Sequence, residues 1–144
     1  MSLEANILSK YHNVAIVGVS SKPERPSHRV FAYLAGQGYN VIPVNPTERE
    51  VMGKTSYPDL ISVPERVDVV DIFRRSDEVM PIVDQAIKIG AKAIWMQEGV
   101  INEEAAAKAR NAGLLVVMNK CMRKQHISFR QWKTRREHQQ KNRR

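Results

Sequence analysis

Residues 13–27 read NVAIVGVSSKPERPS, and this stretch indicates the class of fold. Its first part, from Val14 to Val17, is a run of apolar residues of the kind found in strands that are covered on both faces of a sheet. Gly18 and a polar loop follow. Pro26 then suits the first turn of a helix, where the N–H that proline lacks would have no partner. A strand, a glycine-containing loop and a helix in this order predict the beginning of a βαβ unit.

The same alternation continues along the chain and predicts an α/β protein. The first helix is expected to end near Gly36, a second to begin at Ser76 as its N-cap, and a third to follow a cap at Asn102. Pro81 lies deep for a first turn, so the second helix is expected to start late or to bend. Right-handed crossovers arrange the strands as an open, mostly parallel sheet of order 3-2-1-4-5-6 with helices on both faces. The six predicted strands are Asn13–Gly18, Asn40–Val44, Val51–Tyr57, Val67–Phe73, Ala93–Met96 and Leu114–Met118.

The charge of the chain is concentrated at its carboxyl end. The 144 residues include 23 Lys and Arg and 15 Asp and Glu, a formal net charge of +8. Ten of the basic residues and one acid, Glu137, lie between Lys120 and Arg144, so the preceding part is close to neutral. We therefore predict a folded domain at residues 1–125 and a basic C-terminal tail at residues 126–144. We interpret the tail either as a solvated chain end, which we favour, or as a segment that binds nucleic acid.

The composition excludes several classes of protein. A single cysteine, Cys121, excludes an intramolecular disulfide framework and a zinc site of clustered thiolates. No apolar run reaches the roughly 18 to 20 residues that a membrane span needs. The amino-terminal residues MSLEANILSK do not resemble a secretion signal. We therefore expect a cytoplasmic protein without a membrane partner.

Polar residues follow the first predicted strand, at the edge where an open α/β sheet binds its ligands. A glycine there permits a close backbone approach, and serine hydroxyls stand in front of a helix N-terminus, which attracts phosphate oxygens. A lysine and an arginine add positive charge, and arginine can bind a phosphate through two N–H groups. The alternative is an ordinary strand-to-helix loop. The residues predicted to hold a phosphate are Gly18, Ser20, Ser21, Lys22, Arg25 and Ser27.

The loop departs from the fingerprint of a nicotinamide dinucleotide site. That fingerprint is G-x-G-x-x-G, followed about 20 residues later by an acid at the end of strand 2. Only Gly18 is present, with Ser20 and Pro23 at the other two glycine positions, and strand 2 ends in Val44-Asn45-Pro46-Thr47 without an acid. The missing carboxylate is compatible with a ligand that carries a phosphorylated ribose. Two nearby cations could neutralise such a group, Arg49 and Lys54.

Five segments of the chain share the pattern of one family of small proteins. They fall in order at the ends of the predicted strands, and the similarity spans roughly Ile7 to Met122. In this pattern the chain resembles the small single-domain CoA-binding proteins, which are similar to the CoA-binding domain of the succinyl-CoA synthetase alpha subunit. The segments are Gly18-x-Ser20-x-Lys22-Pro23-x-Arg25-Pro26, Val41-Ile42-Pro43-Val44-Asn45-Pro46, Val69-Val70-Asp71-Ile72-Phe73-Arg74, Trp95-Met96-Gln97-x-Gly99-Val100 and Asn119-x-Cys121.

The resemblance implies a Rossmann-like fold that binds coenzyme A or an acyl-CoA along the carboxyl edge of the sheet. The loop from Gly18 to Arg25 would hold the diphosphate, and Asn45-Pro46 would flank the adenosine. Phe73-Arg74 and Gln97-Gly99 would line the path of the nucleotide and the pantetheine arm. The residues implied to bind the cofactor are Gly18, Val19, Ser20, Lys22, Arg25, Pro26, Asn45, Pro46, Phe73, Arg74, Gln97 and Gly99.

Several positions have more than one interpretation. Relatives often carry a lysine directly after the strand-2 proline, where this chain has Thr47; Arg49 is a candidate substitute for contact with the 3′-phosphate. Phe73 either finishes a buried strand or faces the ligand, whereas Trp95, inside its strand, is predicted to belong to the core. Cys121 is either a small buried residue or a thiol that can pair with the thiol of CoA.

No catalytic constellation is recognisable in the sequence. The histidines at positions 12, 28, 126 and 138 are not placed with a nucleophile, an acid–base partner or metal ligands, and Asp68 and Asp71 belong to a predicted strand. In the synthetase family the phosphorylated histidine belongs to a further domain, so the resemblance carries over the binding site and not the ligase reaction. We therefore expect non-catalytic CoA binding, with no metal and no assignable protein partner. The alternatives are an NAD(P)-dependent or acyl-CoA-processing enzyme and a protein that associates with nucleic acid through the basic tail.

Overall fold

The structure is a computed structural model that describes residues 1–142. Its strands are β1 (Asn13–Val17), β2 (Asn40–Val44), β3 (Glu50–Val51), β4 (Lys54–Thr55), β5 (Val69–Ile72), β6 (Ala93–Met96) and β7 (Leu115–Val117). Its helices are α1 (Leu3–Lys10), α2 (Pro26–Gly36), α3 (Val79–Lys88), α4 (Glu103–Asn111) and α5 (Met122–Asn142), and a short 3₁₀ helix (Ser76–Glu78) precedes α3.

Five parallel strands form the main sheet in the order β2-β1-β5-β6-β7. Its side chains alternate between two buried cores, one on each face. On one face Ile94 packs with Val83 of α3 and Ala109 of α4. On the other face Trp95, wholly buried as predicted, packs among residues of α1, α2 and α5, including Phe31. The predicted Rossmann-like α/β fold with helices on both faces is thereby confirmed.

The predicted third strand, Val51–Tyr57, is not a strand of the main sheet, so the order 3-2-1-4-5-6 is wrong in this detail. The segment Val51–Tyr57 is divided between β3 and β4, which pair with each other as an antiparallel ribbon. Met52 and Gly53, both with positive φ, form the turn between them. Only Tyr57 reaches the main sheet, through a single parallel bridge to Val44.

Pro43 explains why no further strand pairs with the outer edge of β2. The carbonyl of Pro43 accepts the N–H of Tyr57 (3.1 Å), and the N–H of Asn45 donates to the carbonyl of Tyr57 (2.8 Å). These bonds show that the backbone groups of residues 43 and 45 point away from β1. A neighbouring strand would also need a donor at residue 43, and proline has none. Proline is therefore confined to the edge of a sheet, as it is here.

Two of the predicted helix starts are confirmed, and one differs. Helix α2 begins at Pro26, and the side chain of Asn102 caps α4 by accepting the N–H of Ala105 (2.9 Å). Ser76 is not the cap of α3, which starts late at Val79. Pro81 is consequently the third residue of α3, where a missing N–H breaks no helical hydrogen bond.

Helix α5 carries the chain from the core into solvent. Met122 and His126 are buried, whereas all residues from Lys133 to Asn142 are exposed. The helix runs without interruption through residues 125 and 126, where the boundary between domain and tail is predicted; that division remains a prediction. Phe129 packs against the core, and its ring stacks on Trp132 with centroids 6.3 Å apart. Among residues 1–142, no helix combines the length and apolar character needed to cross a bilayer.

Candidate functional site

Gly18 brings the loop after β1 against the end of β5. Its φ of +87° is unfavourable for residues with a side chain, and its N–H donates to the carbonyl of Val44 (2.8 Å). A Cβ atom at this position would collide with the carbonyl oxygen of Phe73 and lie 3.3 Å from Nε of Arg74. Glycine is therefore needed here both for the backbone angle and for the close approach of two strand ends.

Hydrogen bonds within the β1–α2 loop use several of the groups predicted to hold a phosphate. The N–H of Ser20 donates to Oγ of the buried Ser27 (3.0 Å), and the N–H of Lys22 donates to Oγ of Ser20 (3.1 Å). Glu48 accepts the N–H of Ser21 (2.7 Å). Ser27 thus shapes the loop from inside, while the hydroxyl hydrogen of Ser20 remains available to an acceptor.

The outer side of this loop carries positive charge next to a helix end. Lys22 and Arg25 are exposed, and neither makes an ion pair with any of residues 1–142. Helix α2 begins at Pro26, and no side chain caps its N-terminus. The unpaired cations and the positive end of the helix favour an anion at this position.

Asn45 connects the loops that follow three neighbouring strands. It is buried, and its Nδ2 donates to the carbonyl of Val19 (2.9 Å). Its Oδ1 accepts the N–H (3.0 Å) and the hydroxyl (2.8 Å) of Thr47 and lies 3.4 Å from Nη2 of Arg74. The side chain of Val19 is wholly buried in the core. Asn45 therefore positions Arg74, whose guanidinium keeps most of its donors free.

The structure separates the two cations that were candidates for a phosphate near the end of β2. Nζ of Lys54 donates to Oδ1 of Asn40 (3.1 Å) and to the carbonyl of Val41 (2.5 Å), at the amino end of that strand. The prediction that Lys54 neutralises a phosphate at the carboxyl end is therefore wrong. Sequence proximity was misleading because the ribbon of β3 and β4 folds back along β2. Arg49 is exposed and remains a candidate.

Gln97 and Gly99 lie in a loop that is tied to the ends of β5 and β7. Oε1 of Gln97 accepts the N–H of Met122 (3.1 Å), which connects the loop to the start of α5. The N–H of Gly99 donates to Oδ1 of Asn119 (2.8 Å), and the hydroxyl of Ser76 accepts the N–H of Ile101 (2.9 Å). These bonds hold the loop after β6 in a defined position beside its neighbours.

Three hollows adjoin one another along this edge and form what we call the edge channel. The first, of about 170 Å³, lies beside Pro46 and Arg74. The second, of about 550 Å³, runs from Arg74 past Gln97 to Gly99. The third, of about 420 Å³, lies between Phe73, Gln97 and Cys121. We name them the Pro46, Gly99 and Cys121 hollows. Arg74 lines the first two hollows, and Phe73 and Gln97 line the last two, so neighbouring hollows share wall residues.

The channel includes residues that the sequence did not suggest. Arg29 follows Pro26 by three positions and therefore shares a face of α2 with it, a spacing that could have been recognised. Arg123 and Lys124 belong to the first turn of α5, a helix that was not predicted. Nζ of Lys124 forms an ion pair with a carboxylate oxygen of Glu98 (2.7 Å). The full set of unexpected residues in the Cys121 hollow is Arg29, Val30, Arg123 and Lys124.

One polar side chain is buried in the sheet without a partner. Asp71 of β5 lies between Ile16 of β1 and Trp95 of β6, and neither of its carboxylate oxygens makes a hydrogen bond within the described part of the chain. Burial raises the pKa of the Asp71 carboxyl well above its ordinary value. The folded protein therefore favours the protonated form of this acid.

Comparison with known proteins identifies relatives over most of the chain. A family model described as a CoA binding domain matches residues 12–127. The uncharacterized protein YneT of Bacillus subtilis is 34% identical over 120 residues, which cover 83% of this chain and 89% of the relative.

Solved structures share the fold. A hypothetical protein from Pyrococcus horikoshii OT3 is 42% identical with a TM-score of 0.87, covering 90% of this chain and 92% of that one. The apo form of the dinucleotide forming acetyl-coenzyme A synthetase 1 of Ca. Korarchaeum cryptofilum is 29% identical with a TM-score of 0.69. That match covers 79% of this chain and only 27% of the synthetase. Because the family model matches residues 12–127, which are most of the chain, the chain belongs to the family of CoA binding domains.

Proposed function

We propose that the protein binds coenzyme A or an acyl-CoA in the edge channel without catalysing a reaction. The observation that carries the proposal is the series of adjoining hollows, which leads from Pro46 past Arg74 and Phe73 to Cys121. An elongated ligand with a nucleotide at one end and a flexible arm at the other suits such a shape. Membership of the family supports CoA binding in general.

The Pro46 hollow suits the adenosine end of the ligand. Its walls include the apolar side chains of Val17, Val44 and Leu60, which can pack against the flat faces of a base. Arg74 stands at the boundary with the Gly99 hollow. A phosphate group placed beside this guanidinium would accept charge-assisted hydrogen bonds from it.

The Gly99 and Cys121 hollows suit the pantetheine arm. Phe73 supplies an apolar surface to both hollows, and Gln97 supplies an amide. The arm contains two amide groups, which need hydrogen-bond partners when they leave water. This end of the channel therefore combines apolar contact with a polar group that can fix the position of the arm.

Two of the four histidines make polar contacts within the fold. Nδ1 of His28 lies 3.0 Å from the carbonyl oxygen of Ser20 in the loop, and Nδ1 of His126 lies 2.8 Å from the hydroxyl of Tyr33. Neither histidine contacts a serine, threonine or cysteine side chain through those bonds.

Calorimetry with three ligands tests the proposal. We expect CoA to bind, dephospho-CoA to bind more weakly and NADH to produce little heat. CoA at 100 times its Kd should also stabilise the native protein by about 2.7 kcal/mol. Binding of NADH together with no binding of CoA would show that the proposal is wrong and would favour the oxidoreductase alternative.

A matched pair of arginine variants tests the position of the site. Arg74→Gln should weaken CoA binding about tenfold or more, because a charge-assisted hydrogen bond contributes about 1.5–3 kcal/mol. Arg110→Gln is the control: Arg110 is an exposed arginine in the last turn of α4 and makes no ion pair with the described residues. Equal losses in the two variants would indicate attraction by general charge rather than a site at Arg74.

A further inference from the structure

We propose that Cys121 forms a mixed disulfide with the pantetheine thiol when the protein meets CoA in its disulfide form. This inference rests on the proposed function and adds a redox modification to it. The sequence contains no second cysteine, so Cys121 cannot be oxidised to a disulfide within the chain. A disulfide at Cys121 must come from a small thiol or from another molecule.

The thiol lies at one end of the edge channel. Cys121 is partly buried and lines the Cys121 hollow together with Phe73 and Gln97. Its carbonyl accepts the N–H of Gln125 (3.0 Å), so Cys121 occupies the position immediately before the first turn of α5. The nucleotide end of the channel lies on the other side of Arg74. A ligand bound with its phosphates near Arg74 would therefore direct its arm towards the sulfur.

Gln97 provides independent evidence that the Cys121 hollow accommodates a ligand. The side chain is only 4% exposed, yet it lines the hollow. Its orientation is defined because Oε1 accepts the N–H of Met122 and an amide nitrogen could not take that place. Nε2 has no hydrogen-bond partner within residues 1–142. This nitrogen is not among the enclosed side-chain atoms without a partner, so it is accessible to a ligand, and a carbonyl of the pantetheine arm could accept its N–H.

The charges around the hollow suit an anionic disulfide. Arg29, Arg123 and Lys124 line it, against a single acid, Glu98. The amino end of the 21-residue helix α5 adds the positive end of its dipole. Negative charge develops on the attacking and leaving sulfur atoms during thiol–disulfide exchange, and these groups would stabilise it.

The reaction is a simple exchange in which CoA disulfide is the oxidant. The Cys121 thiol releases its proton to water, and the thiolate attacks one sulfur of the CoA disulfide. A bond forms between Sγ of Cys121 and that sulfur, the original S–S bond breaks, and the second CoA leaves as a thiolate that takes up a proton. Cys121 is oxidised and the departing CoA is reduced. The channel then stays occupied until another thiol reduces the bond.

Intact-mass measurement of the full chain tests the inference. After incubation of the reduced protein with CoA disulfide we expect one adduct with a mass increase equal to CoA less two hydrogens, located at Cys121 by peptide mapping and removed by dithiothreitol. Cys121→Ser should give no adduct, and Cys121→Ala provides a second variant should the serine disturb folding. Absence of the adduct in the wild type, or its presence in both variants, would overturn the inference.

Glutathione disulfide distinguishes a guided reaction from general thiol reactivity. It undergoes the same exchange but lacks the nucleotide, so we expect it to react at least about tenfold more slowly, because binding raises the effective concentration of the reacting groups. Arg74→Gln should slow the reaction with CoA disulfide and leave that with glutathione disulfide unchanged. Equal rates for both disulfides in the wild type would overturn the inference.

Calorimetry separates failure of this inference from failure of the proposed function. If the wild type binds CoA but gives no adduct, the redox inference is wrong and the binding function stands. If the wild type binds no CoA, both are wrong.

Discussion

The α-carbon of Gly18 lies against the carbonyl group of Phe73, so closely that a side-chain carbon at residue 18 would collide with the carbonyl oxygen. The two residues follow β1 and β5, neighbouring strands at the centre of the sheet. Phe73 also lines both the Gly99 and the Cys121 hollows. This contact therefore determines how closely the β1–α2 loop approaches the Gly99 and Cys121 hollows.

Gly18→Ala should destabilise the protein and weaken CoA binding. The left-handed backbone alone costs about 1 kcal/mol or more for alanine, and the collision with Phe73 adds to it. Urea denaturation measures the first effect and calorimetry the second. Gly36→Ala is a matched control because Gly36 ends α2, and its added Cβ would meet nothing within 4 Å. The control should be neutral or stabilising by up to about 1 kcal/mol; equal destabilisation by both substitutions would contradict the role assigned to Gly18.

Asp71 should make the free energy of unfolding decrease as the pH rises. Burial raises the pKa of this carboxyl in the folded protein well above 3.8, whereas the unfolded chain releases the proton near its ordinary value. The contribution is therefore fully present below about pH 4 and is lost at about 1.4 kcal/mol per pH unit up to the folded pKa. Asp71→Asn should remove this slope when unfolding is measured across the range.

Asp77→Asn is the reference for that measurement. Asp77 is exposed, and its carboxylate lies 3.3 Å from Nε of Arg75. The substitution Asp77→Asn should therefore leave the pH dependence of the unfolding free energy nearly unchanged. If Asp71→Asn and the wild type showed the same dependence on pH, the protonated state of Asp71 in the fold would be excluded.

The bond between Tyr33 and His126 should help to hold α5 against α2. The Tyr33 hydroxyl lies 2.8 Å from Nδ1 of the buried His126, and Tyr33→Phe removes it while leaving the ring. We expect a loss of about 0.5–1.5 kcal/mol in unfolding free energy and faster hydrogen exchange at the start of α5. Tyr11→Phe serves as the control, because the Tyr11 hydroxyl makes no hydrogen bond with the described residues. A smaller effect for Tyr33→Phe than for the control would argue against this link.

The basic end of α5 should not contribute to CoA binding. Its cations are exposed and line none of the three hollows of the edge channel. Their joint replacement by Gln should change the Kd for CoA by no more than about twofold at physiological salt, where exposed charges are screened. A loss as large as that of Arg74→Gln would mean that CoA is attracted by overall charge. The four residues to replace are Lys133, Arg135, Arg136 and Lys141.

The same fourfold variant tests the alternative that the tail binds nucleic acid. If the tail binds nucleic acid, the full chain should retain duplex DNA or RNA at low salt, and the four substitutions should abolish the retention. No retention by the wild type would exclude this role for the tail.

Local sequence patterns predicted much of the fold and the polar residues at the carboxyl edge of the main sheet. Short apolar runs alternating with capped helices predict a parallel sheet, and the polar residues after each run predict a ligand edge. The helices α1 and α5 were missed because their stability comes from packing on the sheet: α1 has buried Ile7 and Leu8, whereas α5 is polar over most of its length. The predicted third strand, Val51–Tyr57, does not join the main sheet. Pro43 prevents this only because its backbone faces the outer edge of β2, and that direction is set by the fold.

The sequence by itself determined the alternation of the five main strands with α2, α3 and α4, the family, and the residue types available for binding, because these depend on spacing and composition along the chain. Only the tertiary structure decided which of those residues meet. It placed Lys54 at the amino end of β2, joined Asn45 to Arg74, and brought Cys121 beside Gln97. These relationships join residues far apart in the chain, and they arise from how strands pair and helices pack, which local sequence patterns do not encode.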